Sequence, residues 1–215
     1  MAQKERSASV WILLIGAAAA VAVVLLAGEG WVKASLERER AMNRGFYGEA
    51  TSQAAETRAT RWFVAHYVNT GFQAATFDTF TRAAEVPTSG QASPFDSSGR
   101  MVAGIFESRL RAFWTLLFQA YVRASHVALW LPYLALVLVP LLVDSLVTRV
   151  IRKHTYDFVS PLQHHFAAHG VQIVAVGLLA LAVVPFPTPA VLIPILLGVA
   201  GLLFHRVIAN YVKHA

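Results

Sequence analysis

Between Arg111 and Val143 the chain reads RAFWTLLFQAYVRASHVALWLPYLALVLVPLLV, and a single charged residue, Arg123, lies inside that run. A helix of a water-soluble domain keeps a polar face, and the second half of this run has none to offer. Crossing the ~30 Å hydrocarbon core takes about 20 helical residues, so the zone is longer than a bilayer needs. Two readings compete for the excess. In one, the helix enters the bilayer near Trp114 and buries Arg123, a costly and usually functional placement. In the preferred one, Phe113 to His126 is an amphipathic approach at the interface, Arg123 snorkels to water, and Val127 to Val143 is the span. Trp130 and Tyr133 then belong to an aromatic belt. Pro132 and Pro140 each remove a backbone donor and predict kinks rather than breaks.

Composition agrees with lipid as the solvent. Hydrophobic residues make up 56% of the 215 residues, charged residues 14%, and mean hydropathy is +0.53. Soluble domains carry about 25% charged residues. The chain has no cysteine, which excludes a disulfide framework, thiolate metal sites and a Cys nucleophile. The formal charge of +6 is unevenly spread and calls for no nucleic-acid contact.

Two further apolar zones follow the same logic. VWILLIGAAAAVAVVLLA, Val10 to Ala27, is free of charge over 18 residues and is preceded by Lys4 and Arg6. It is longer than a signal-peptide core and lacks an Ala-x-Ala site, so a retained anchor is preferred to a cleaved signal. Near the C-terminus, Val171 to Val184 and Ala190 to Phe204 flank the turn PFPTP and predict a transmembrane hairpin. Both arms are short, and a re-entrant hairpin is the rival.

The polar stretch Gly28 to Ala112 holds nine acids and ten Lys or Arg residues. WVKASLERERAMNR has good helix formers, GFYG breaks it, and ATSQAAETRATRWFVAHYVNTGF reads as a second helix. Val86 to Gly99, VPTSGQASPFDSSG, reads as a turn-rich loop. So few apolar residues make a marginal core, which predicts that the domain leans on the membrane or a partner.

The sequence thus predicts an all-α integral membrane protein with four transmembrane helices and a small helical periplasmic domain. Residues 1–27 are the tail and first span, 28–112 the periplasmic domain, and 113–143 the approach and second span. Residues 144–170 form a basic, His-rich cytoplasmic loop, and 171–215 the hairpin and tail. Lys and Arg number 2, 3, 0 and 2 in residues 1–9, 144–170, 185–189 and 205–215. The positive-inside rule then puts both termini in the cytoplasm. Asp144 sits at the cytoplasmic exit, and Arg149, Arg152 and Lys153 meet anionic headgroups, each worth about 1 kcal/mol.

Little in the chain resembles catalytic machinery. His165 and His169 are four apart and share a helix face beside His164, but HFAAH lacks the glutamate of the His-Glu-x-x-His motif. A titratable, headgroup-facing loop is preferred to a metal site. Asp144 with Thr148 and Arg149 is either a helix-exit pair or a proton-relay carboxylate, and the structural role is preferred. Ser160 and Pro161 predict an N-cap and first helical residue. Small residues in GAAAA and GVAG allow close helix approach and, weakly, self-association.

The arrangement from Trp114 onward resembles the integrating conjugative element membrane proteins. The resemblance is carried by the Arg123 helix, Trp130-Leu131-Pro132, then Asp144, Arg149 and Arg152, and finally Ser160-Pro161 before a His-rich stretch. Ser145 stands where that family usually has Gly. What the resemblance implies is a non-enzymatic inner-membrane subunit of a conjugative type IV secretion apparatus. It would carry no cofactor and contact the coupling ATPase or other secretion-apparatus subunits. Arg123, Asp144, Arg149, Arg152, Lys153, Ser160 and Pro161 are its candidate docking residues. The alternative is a small transporter or proton-coupled channel that uses Arg123 and Asp144.

Overall fold

In the computed structural model the described residues are 28–84, 94–155 and 161–210, and all regular structure among them is helical. The helices are α1 (Glu29–Tyr47), α2 (Glu49–Phe63), α3 (Phe72–Ala84), α4 (Pro94–Thr155), α5 (Pro161–Val183) and α6 (Leu192–Ala209), with a π-helical turn, Val64–Val68, after α2. The chain divides into two units. The first holds the described residues up to Ser125 together with Ala182–Thr188, and the second holds His126–Leu181 with the described residues from Pro189 onward.

In the first unit, α1 buries Val32, Ser35, Leu36, Glu39 and Asn43, a stripe at three- and four-residue spacing. It ends one residue before Gly48, whose φ of +82° favours glycine, so Gly45 and Phe46 of GFYG remain helical. On α2 the buried residues Ser52, Ala55 and Ala59 are small. A neighbouring helix can therefore come close enough for Ser125 Oγ to donate to the Ala55 carbonyl at 2.8 Å. The π turn and Gly71 (φ +72°) then redirect the chain into α3. The expected second helix, Ala50 to Phe72, thus ends as a π turn at Val68, and α3, which begins at Phe72, is a helix the sequence reading did not separate.

What covers this thin core is α4 itself. Ala112, Trp114, Leu116, Gln119, Val122, Arg123 and Ser125 are all buried. Val32, Ala112 and Leu116 form one cluster, and Phe63 sets its ring edge-to-face against Trp114, Phe118 and Tyr121 at 5.7–6.0 Å. Such aromatic pairs contribute about 0.5–1.5 kcal/mol each beyond area burial. One face of the expected amphipathic approach, Trp114 to Ser125, therefore packs against α1 and α2, so the chain's own helix supplies part of the support that the thin core lacks. The expected loop Val86 to Gly99 is corrected in part, because Pro94–Gly99 open α4, with Pro94 at the first position where its missing N–H costs nothing. Residues 86–93 lie outside the described residues.

In the second unit, α4 runs on through Pro132 and Pro140 without a break. Its side chains there are scarcely covered, with Leu136 76% and Val139 59% exposed. Helix α6 meets α4 at Gly201, where an added Cβ would lie 2.5 Å from Leu138 Cδ2. Helix α5 meets α6 at Gly170, where the Cβ would lie 3.0 Å from Leu203. Close approach at the GVAG segment is thus real, and inside the protein it serves packing within one chain. Both hairpin arms exceed expectation, at 23 residues for α5 and 18 for α6. Three helical stretches among the described residues are long and apolar enough to cross a membrane: Ala103–Arg152, His165–Ala182 and Leu192–Ala209. Four spans were expected. The first of them, Val10 to Ala27, lies outside the described residues.

Candidate functional site

The most tightly built polar site lies in the first unit, around the carboxylate of Glu39. Arg123 Nε donates to Glu39 Oε1 at 2.9 Å, and Arg123 Nη2 donates to Oε2 at 2.6 Å. Gln119 Nε2, one helical turn before Arg123 on the same face of α4, donates to Oε2 at 2.6 Å. Both charged side chains are almost sealed from solvent, 6% exposed for Arg123 and 3% for Glu39. A fork-on-carboxylate pair of this kind gains both strength and direction from its two parallel bonds.

Two further guanidinium donors reach the turn between α5 and α6. Arg123 Nη1 donates to the Val184 carbonyl at 2.8 Å, and Nη2 to the Phe186 carbonyl at 2.7 Å. The sequence of that turn explains why. Three of the five residues in Pro185–Pro189 are prolines, which have no N–H, so the turn is rich in acceptors and poor in donors. One of its two N–H groups, Thr188 N, points at Glu39 Oε2 at 3.4 Å. Pro185 is fully buried, and the Phe186 ring sits edge-to-face on Trp31 at 5.2 Å. The site is therefore a clamp in which an acid from α1 and a base from α4 hold the α5–α6 turn. It also corrects the expectation that Arg123 snorkels: its charge is balanced within the protein and its donors are directed inward.

The second unit holds the other candidates. Asp144 does find a partner across helices: His205 Nε2 of α6 lies 2.8 Å from Asp144 Oδ2. The local Thr148 and Arg149 pairing expected from sequence overlooked this residue 61 positions away. Arg149 is half-buried on α4, and Arg152 Nη1 donates to the Asn210 side-chain oxygen at the end of α6. Lys153 lies on α4 with its side chain outside the description, Pro161 is the first residue of α5, and Ser160 lies outside the described residues. Beneath the Asp144–His205 contact, Leu138, Leu142, Ser145, Gly201, Phe204 and His205 line an apolar cavity of about 240 Å³. Ser145 is fully buried, and its hydroxyl turns back to the Leu142 carbonyl at 2.7 Å.

On α5, His165 and His169 are both exposed with their Nε2 atoms 2.9 Å apart. Among the described residues no group of three or more His, Asp or Glu side chains is placed to hold a metal ion. Sequence reasoning missed Glu39, Gln119, His205 and Asn210. For Glu39 a signal existed, since it falls on the stripe of Val32, Leu36 and Asn43 while Glu37 does not. For His205 and Asn210 the partners are remote in the chain, and no local pattern could have joined them.

The family described as IncC plasmid conjugative DNA transfer protein DtrJ-like matches residues 23–212. Neither a curated protein nor a solved structure matches the chain.

Proposed function

Because the chain belongs to the DtrJ-like family and so has a role in conjugative DNA transfer, we propose that it is a non-enzymatic inner-membrane subunit of the type IV secretion apparatus. In that role it anchors or assembles with the coupling ATPase. The observation that carries this reading is the family match over most of the chain, joined to helices long and apolar enough to span a bilayer. The nearly uncovered wall of α4 supports lipid as its solvent, since an apolar surface of such extent is rare in water-soluble monomers. The earlier resemblance agrees at the level of conjugation, and membership of an integrating element is part of the proposal.

The buried clamp supports a scaffold role. A coupling subunit needs a rigid domain outside the bilayer and a basic end elsewhere to meet its partner, and Arg149, Arg152 and Lys153 supply that end. The transporter alternative needs Arg123 available to a permeating ion, whereas the arginine is engaged by Glu39 and two backbone carbonyls. The test is a detergent pull-down of the tagged protein from cells carrying the conjugative element. Recovery of a large membrane ATPase is expected, and recovery of the subunit alone would sink the reading. Asp144→Asn separates the two functions further. Under the scaffold reading it weakens partner recovery and leaves proton flux in vesicles unaltered, whereas the transporter reading requires the flux to vanish.

A further inference from the structure

Helical spacing of four residues makes two side chains neighbours, but it does not by itself bring two ring nitrogens within hydrogen-bond distance. His165 and His169 do both. Their Nε2 atoms are 2.9 Å apart, the rings stand at 89°, and both side chains face solvent at the start of α5. Two tautomeric arrangements fit that separation. In one, a single Nε2–H donates to the other ring. In the other, both lone pairs face the same gap, which makes a ligand bite.

The bite has the dimensions of a chelate. With a metal–imidazole bond of about 2.05 Å, the 2.9 Å separation corresponds to an angle of about 90° at the ion. That is the angle between neighbouring ligands in octahedral and square-based sites. Widening the pair by roughly 0.4 Å, within reach of two exposed side chains, gives the tetrahedral angle that zinc prefers. We propose that His165 and His169 form a two-imidazole site for a borderline divalent transition cation such as zinc, nickel or copper. Magnesium and calcium do not suit such a site because they prefer oxygen donors.

No third protein ligand joins the pair among the described residues, so the other coordination positions fall to water or to a donor from outside the chain. A bound ion would tie residue 165 to residue 169 across one turn and fix the start of α5 as a helix. This differs from the motif logic of a metalloprotease, which needs a glutamate that HFAAH lacks. The inference stands apart from the conjugative reading and survives or fails on its own.

The test uses the full-length chain in detergent, stripped with a chelator and titrated with zinc chloride by calorimetry. Wild type is expected to take up one zinc ion, with a tenfold excess of magnesium unable to compete. His165→Gln and His169→Gln, both at exposed positions and each verified as monodisperse, should each weaken binding at least about tenfold, the scale on which even outer-shell losses weaken a metal. His154→Gln on α4 should bind as wild type does. Zinc uptake equal in wild type and both α5 variants, no uptake by wild type, or displacement by magnesium would each overturn the proposal.

Discussion

Arg123 shows how much one side chain can decide. Two donors go to a buried carboxylate and others to the Val184 and Phe186 carbonyls of the proline-rich turn. Burying the pair costs several kcal/mol per ion before the attraction is counted, so its worth depends on both members being present. Glu39→Gln should therefore destabilise the first unit by about 3–5 kcal/mol, because it strands a guanidinium in the interior. Thermal unfolding or limited proteolysis of the purified protein would measure this, and a loss under about 1 kcal/mol, typical of exposed ion pairs, would refute it. The double variant Glu39→Gln with Arg123→Met should recover a good part of the loss, since no charge is then left unpaired. Arg123→Lys should not rescue function, because an ammonium lacks the planar fork that spans carboxylate and carbonyls at once.

At the scale of elements, much was legible. Apolar runs announced α4, α5 and α6, and Pro161 marked the first residue of α5 as its chemistry predicts. Gly48 marked the break after α1. The failures share a cause. Trp114 to Ser125 is rich in aromatic and small apolar residues, and such a composition serves a lipid interface or a protein core equally well. Only the partner helices distinguish them, and the small residues Ser52, Ala55 and Ala59 of α2, which allow the packing, looked unremarkable in isolation. The clamp was half legible. Arg123 stood out as a lone charge, while Glu39 was hidden among four alternating charges in ERER. Helix packing in the second unit was legible as a tendency at Gly201 but not as a contact with Leu138. Gly201→Val should cost about 1–3 kcal/mol through overpacking, while Gly201→Ala, which displaces only the tip of Leu138, should be milder. Leu138→Ala should offset Gly201→Val in the double variant, and additive losses measured by thermal unfolding would contradict the packing assignment.

For the molecule as a whole, the chain order of the two units matters. The first unit takes its last piece, Ala182–Thr188, from beyond most of the second. The turn between α5 and α6 and the helices α1–α3 therefore belong on one side of the bilayer if α4 crosses it, which fits the absence of Lys and Arg from residues 185–189. Reporter fusions check this. Insertions after Asn69 and within the 185–189 turn should report the periplasm, and fusions after His154 and after Asn210 should report the cytoplasm. A reporter in the turn and one after Asn69 on opposite faces would break both the topology and the clamp.

The two backbone acceptors of Arg123 are made 61 and 63 residues after it. At a ribosomal pace of about 5–20 residues per second, the interval is on the order of 3–12 s. Until it has passed, the bonds from Arg123 to the Val184 and Phe186 carbonyls cannot form. The first unit, which includes Ala182–Thr188, is therefore complete only once the α5–α6 turn exists.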